Sequence, residues 1–321
     1  MSLSNMKVFN EYLKRTTIET LAQDIEKFNA SSRGAIRLTT QGIDGDFLQE
    51  SFWAGLHGAQ RRVDRYAANG AQASTPLSQK QYDSVKIAGG FGPIIWEPSQ
   101  LSWVQKNPEE ALEVISRNLS ESIMADQLNT AIAALVAAIG NQPGATNDVS
   151  ATAGITYGAI NNAHALFGDA SQRLIAQVMS GAMYHDLIGQ NLANAERLFT
   201  SNSVNIVDIL GKAVIVTDSP ALFQAGTPDK QKVLSLADGA GVVMDGSDLI
   251  TNIETSNGKE RIETTMQADY TFGLGLKGYT WDTTNGGKSP TNAELATGTN
   301  WDLVANSIKA SAGVLTIGEA A

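Results

Sequence analysis

The chain has 321 residues, with 23 Lys+Arg against 33 Asp+Glu, a net charge of −10. That sign argues against a general nucleic-acid binder, which needs surplus cations to displace counterions. With no cysteine and only three histidines, at 57, 164 and 185, disulfide scaffolds, thiolate zinc sites, iron–sulfur clusters and the HExxH zinc pattern are all excluded.

Residues 3–29 are predicted to form a helix. Phe9, Leu13, Thr17, Leu21, Ile25 and Phe28 recur every three or four positions and make one narrow apolar stripe. Such a helix must dock, either on its own body or on a neighbouring chain. Residues 30–106 are rich in Gly, Ser, Gln and Ala, with scattered aromatics that include Phe52 and Trp53. Arg61, Arg62 and Arg65 form the one local basic cluster; a nucleic-acid contact is the minor reading, and a solvated or inter-subunit salt-bridging patch the favoured one. Two strands are expected at 81–87 and 93–97, with Ala88-Gly-Gly-Phe-Gly92 as a turn between them. The span 46–100 reads as a protruding loop or β-arm with too little apolar content for its own core.

Asn107-Pro108-Glu109-Glu110 is a helix start, with Asn at the N-cap, Pro at N1 and two acids facing the helix dipole. The pattern Leu112, Ile115, Leu119, Ile123, Leu128, Ile132, Leu135, Ile139 carries the helix to Gly140. At 1.5 Å per residue this is a spine about 48 Å long, and its Ala-rich second half should be the more enclosed. The longest unbroken apolar run, 131–139, is too short to span a bilayer, and no secretion signal is expected from the first ten residues. Beyond a Gly/Thr/Asn linker at 141–156, helices are expected at 157–167 and 182–196 and strands at 174–179, 204–207 and 213–216. Long strands follow at 233–244 and 262–279, with Asn257-Gly258 as a hairpin signal. Trp301, Leu303, Val304 and Ile308 suggest a short helix in the tail.

Charge is uneven. Residues 1–107 carry 12 Lys+Arg and 10 Asp+Glu; residues 108–321 carry 11 and 23. This fits either ordinary surface variation or a slightly basic arm lying on the acidic body of another copy. Gly273-Leu-Gly-Leu-Lys-Gly278 matches G-x-G-x-x-G, but aromatics alternate through it, so it reads as a long strand rather than a phosphate loop. Asp245-Gly-Ser-Asp248 lacks the remaining ligands of a calcium loop and reads as a turn. His185-Asp186 are adjacent on one helix and form no relay. No nucleophile–base spacing, cofactor motif or metal set emerges, so no catalytic, cofactor-binding or metal residues are assigned.

The order of elements resembles a tailed-bacteriophage major capsid protein of the HK97-like fold. So do Val178-Met-Ser-Gly-Ala-Met-Tyr-His-Asp-Leu-Ile188, Leu210-Gly-Lys-Ala-Val-Ile-Val-Thr-Asp-Ser-Pro-Ala221 and the stretch from Gly278-Tyr-Thr-Trp-Asp282 through Asn300-Trp-Asp302. The resemblance implies an α+β capsid fold. It would have an N-terminal helical arm (1–45), an E-loop (46–100), and a peripheral domain (101–145 and 232–285) with spine helix 108–139. An axial domain (146–231) and a C-terminal segment (286–321) would complete it. It also implies self-assembly through hexamers and pentamers into an icosahedral head shell that encloses double-stranded DNA without reading its sequence. Assembly would occur in the bacterial host cytoplasm, without a membrane, and with possible separate scaffolding, portal and decoration proteins. Arg61, Arg62, Arg65, Phe52, Trp53, Phe9 and Leu13 are the candidate inter-subunit contacts, and the resemblance implies that Phe9, Leu13, Phe52 and Trp53 are exposed until neighbours cover them. No cleaved N-terminal scaffolding domain is expected. The alternatives are an encapsulin-type nanocompartment shell and an unrecognised hydrolase.

Overall fold

The computed structural model describes residues 3–53, 59–97, 108–195, 208–209, 211–246 and 248–320. Helix α1 (Leu3–Ser31) lies along α2 (Pro108–Gly140), the long spine. Leu13, Thr17, Leu21 and Ile25 are the buried stripe of α1. Thr17 tolerates this burial because its hydroxyl donates to the Leu13 carbonyl at 2.8 Å. Asn29 then fixes the chain's exit from α1. Its amide nitrogen donates to the Leu38 carbonyl and its oxygen accepts from the Leu38 N–H, at 2.7 and 2.9 Å.

The first sheet has the order β1 (Ile36–Thr39), β10 (Gly241–Asp245), β12 (Glu263–Leu276), β3 (Gln79–Trp96), β2 (Phe47–Trp53). β1 runs parallel to β10 and the other neighbours are antiparallel. β11 (Ile250–Ser256) pairs with the outer half of β12. The hairpin expected at Asn257-Gly258 joins these two strands, and Gly258 has the positive φ of 100° that such a turn needs.

The second sheet runs β4 (Thr146–Asp148), β15 (Gly313–Glu319), β9 (Lys230–Ala237), β5 (Leu174–Met179), β7 (Lys212–Val216), β6 (Asp208–Ile209). The two-residue strand β8 (Phe223–Gln224) pairs with β9. Helices α3 (Tyr157–Ala165) and α4 (Gly181–Ala195) accompany this sheet. Thr156 caps α3 by accepting the Ala159 N–H. A small ribbon of β13 (Tyr279–Trp281) and β14 (Trp301–Leu303) sets Trp281 edge-on to Trp301 at 4.8 Å, both fully buried. The last helix, α5 (Asn292–Leu295), carries a complete capping box between Thr291 and Glu294.

One apolar core joins both sheets, and α2 is its shared wall. Ala131, Ile132, Ala134, Leu135, Ala138 and Ile139 are all buried, as the Ala-rich second half foretold. The stretch Glu113–Gly140 is long and apolar enough by composition to cross a membrane, yet more than half of its most apolar window is buried inside the protein.

Several expectations are corrected. The expected turn at 88–92 is continuous strand within β3. Gly89 lies under the Tyr270 ring, where a Cβ would come within 2.5 Å of Cζ, and Gly92 (φ 101°) faces the register shift between Met266 and Ala268. These glycines serve close approach and a bulge rather than a turn. The strand expected at 233–244 is two strands in different sheets, broken at Asp238-Gly239, where Gly239 has φ 63°. The strand expected at 262–279 ends at Leu276, where Gly278 (φ 82°) turns the chain into β13. The short helix expected in the tail is β14 followed by a single 3-10 turn at Ile308–Ala310. The strand expected at 204–207 lies outside the described residues. Pairing also puts β9 and β15 in the sheet of residues 146–216, so the boundary drawn at 231/232 falls inside a strand.

Candidate assembly surface

The hairpin β2–β3 pairs from Phe47↔Val85 to Trp53↔Gln79. Its base is rooted in the core by Val85 and Ile87. Every residue from 59 to 79 is exposed, including Val63, Tyr66 (90% exposed) and Leu77. An extended segment with its apolar side chains in water gains nothing from its own core.

Arg61, Arg62 and Arg65 all lie on this projection. No ion pair of the three occurs among the described residues. The Arg65 guanidinium sits 5.8 Å from the centre of the Tyr66 ring, and the Asp64 carboxylate accepts the Tyr66 N–H at 2.9 Å. The segment thus presents three cations, one acid and an aromatic ring together. Of the aromatic candidates, Phe9 lies in α1 and Phe52 and Trp53 in β2, but their side chains lie outside the described residues.

Leu13 is corrected. It is 0% exposed within its own chain, because α1 lies along the spine and uses Leu13 in the shared core. Expected exposure was an error of partner: the described buried residues of the stripe, Leu13, Thr17, Leu21 and Ile25, find their cover in cis.

The motifs set aside in the sequence have structural explanations. Gly273 and Gly275 are interior to β12, where a Cβ would come within 2.2 Å of the Ile43 side chain and 2.5 Å of Ser84 Oγ. The G-x-G-x-x-G run therefore passes from strand to turn to strand, with no helix N-terminus to meet a phosphate. Asp245 accepts from Gln127 at 2.8 Å, and Asp248 accepts from Thr271 at 2.9 Å and Lys86 at 3.4 Å. No cluster of three or more His, Asp or Glu suited to a metal occurs among the described residues. His185 is exposed and edge-on to Tyr184. His164 is buried, its Nε2 2.9 Å from Ser235 Oγ, and burial, aided by the Lys212 cation, pushes its pKa down to about 4. A neutral imidazole on a fully buried serine offers no route for a substrate.

One concavity was missed by the sequence reading. A groove of about 1050 Å³ crosses the first sheet. Its floor is one cross-strand row, Arg37, Val242, Gly275, Ser84 and Leu48. Arg37 closes one end by binding both oxygens of Asp238 at 2.8 and 2.7 Å. Nothing local marks this row, since its members come from five strands.

The exposed area matches a subunit built for neighbours. The chain exposes 18307 Å², against about 12,800 Å² for a compact monomer of its mass. The sequence matches the family described as Major capsid protein 13-like (Gp13-like) over residues 5–315. No curated protein matches it. Among solved structures, the fold is similar to that of the "Cyanophage Pam1 capsid asymmetric unit", at TM-score 0.55 and 13% identity, covering 89% of this chain and 88% of that one. It is also similar to that of Microbacterium phage Oxtober96, at TM-score 0.50 and 13% identity, covering 90% of each chain. The α+β architecture is thus the HK97-like capsid fold that the order of elements suggested. Matched over nearly its whole length, the chain belongs to the major capsid protein 13-like family.

Proposed function

We propose that this capsid protein is the subunit of a tailed-phage head, whose copies assemble through hexamers and pentamers into an icosahedral shell around double-stranded DNA. The projection at 59–79 is the observation that carries the proposal. A monomeric enzyme has no use for an exposed, partly apolar, basic segment held out on a rooted hairpin. In a shell the segment lies on a neighbour, where Arg61, Arg62 and Arg65 meet acids of a body that carries 23 Asp+Glu against 11 Lys+Arg.

On this reading the first sheet and spine form the peripheral domain and the second sheet the axial domain. The net charge of −10 suits a container that does not grip its DNA, since a tight basic lining would hinder packaging and release. The role is structural, with no catalysis assigned. Assembly takes place in the host cytoplasm, with any scaffolding, portal or decoration proteins supplied as separate chains. The family match favours a phage shell over an encapsulin-type compartment.

Replacing Arg61, Arg62 and Arg65 together by Ala tests the reading. All three are exposed, so the subunit should remain soluble and folded by circular dichroism, while electron microscopy shows few or no shells. Normal shells with unchanged heat resistance would refute the inter-subunit role of the cluster.

A further inference from the structure

Where the C-terminal turn of the spine meets the second sheet there is a second cavity, of about 450 Å³. Val136, Gly140 and Asn141 of the spine end form one side, Leu315 of β15 another, and Phe223 and Gln224 of β8 the rim. Lys232 of β9 is the only charged residue among those lining it. The ammonium is partly buried, and among the described residues it has no ion pair and no hydrogen bond. The adjacent Lys230 is not so placed, since it has Asp148 at 3.9 Å.

This arrangement is unusual for a chain with ten more acids than bases. A cation withdrawn from water without a counter-charge costs free energy, and a carboxylate brought beside it recovers that cost. Asn141 and Gln224 add carboxamide donors at the mouth, and neither makes a side-chain hydrogen bond among the described residues. Phe223, 46% exposed, offers an apolar rim that would shield such a pair from solvent. Desolvation, with repulsion from Lys230 second, holds the Lys232 pKa below the usual lysine range, the direction expected of a site awaiting an anion.

We propose that the Lys232 cavity is an inter-subunit socket that takes an Asp or Glu side chain from a second copy of this chain. The inference rests on the shell reading above. It commits to a second copy because the cavity lining holds one cation and no acid, whereas residues 108–321 present about two acids for each base.

Two measurements on the full chain test it. The rate of Lys232 acylation by an amine reagent is read by mass spectrometry in dissociated subunits, in DNA-free shells and in DNA-filled shells. Separately, shells assembled from equal parts of unlabelled and nitrogen-15-labelled chain are treated with a carbodiimide, which joins amines only to carboxylates in contact. We expect acylation about tenfold slower in both kinds of shell than in subunits, and a Lys232 link to an Asp or Glu peptide with mixed labels. Equal rates in shells and subunits overturn the proposal. Protection without a mixed-label link also overturns it. Protection only in DNA-filled shells makes the occupant a nucleic-acid phosphate and overturns it as well. In each of these cases shells have formed and the shell reading stands. If no shells form at all, both fall together.

Discussion

Truncating Leu13 to Ala separates the two places where α1 could dock. Leu13 is 0% exposed and lies on the same face as Thr17, Leu21 and Ile25, in the core shared with the spine. Removing it takes away buried methyl groups at a site that the neighbouring helices cannot easily close, which costs about 2.7–5.0 kcal/mol. The unfolding entropy of about 2.1 cal/mol/K per residue gives about 0.67 kcal/mol/K for this chain if it melts as one unit, as its continuous core suggests. The melting temperature of the unassembled subunit should therefore fall by about 4–7 °C. Scanning calorimetry on dissociated subunits, parent and Leu13→Ala side by side, measures it. A shift below about 1 °C in the free subunit, with a large loss of heat resistance in shells, would refute docking in cis. It would show that the stripe is covered by a neighbour.

Three further outcomes follow from particular contacts. His164 is neutral in the folded protein at neutral pH, with its pKa depressed to about 4 from an ordinary value of 6.5. The unfolded chain binds a proton below pH 6.5 that the folded chain refuses, so stability should fall as pH drops from about 6.5 to about 4. The loss is of order 3 kcal/mol, and levels off below that window. Urea unfolding across this range should show a shallower decline for His164→Gln than for the parent; identical slopes would remove His164 from the account. Gly89→Ala should lower the urea midpoint by an amount equivalent to about 1–3 kcal/mol. The new Cβ would sit 2.5 Å from the Tyr270 ring and push its hydroxyl off Asp126, which it reaches at 2.7 Å; an unchanged midpoint would mean the strand yields freely. Trp281→Ala should cost about 3–5 kcal/mol by the same measurement, because it empties a fully buried site against Trp301.

Local signals carried much of the fold. The Asn107-Pro108 start and the apolar positions from Leu112 to Ile139 define the spine, because helix periodicity and capping act over a few residues. Leu174–Met179 is a strand in both readings for a similar reason: a short apolar run between breakers has few alternatives. The basic segment was legible only in part, as a stretch poor in apolar residues. The span 46–100 is too wide for a protruding arm, since Phe47–Trp53 and Gln79–Trp96 are strands of the first sheet and Val85 and Ile87 lie in the core. Glycine misled where its purpose was non-local. Gly89 looks like a turn residue in sequence, yet it is small because the Tyr270 ring, from a strand far along the chain, occupies the space a Cβ would take.

The sequence by itself determined the stripe of α1, the spine, the strand Leu174–Met179 and the basic segment at Arg61, Arg62 and Arg65. Tertiary structure alone decided what covers Leu13, where 233–244 breaks between two sheets, and that β15 joins the sheet with β9. It also placed Lys232 in a cavity with the end of the spine and with β15. Each of these depends on which distant surfaces meet, and burial free energy is assigned by that meeting, whereas periodicity and capping are fixed by neighbours along the chain.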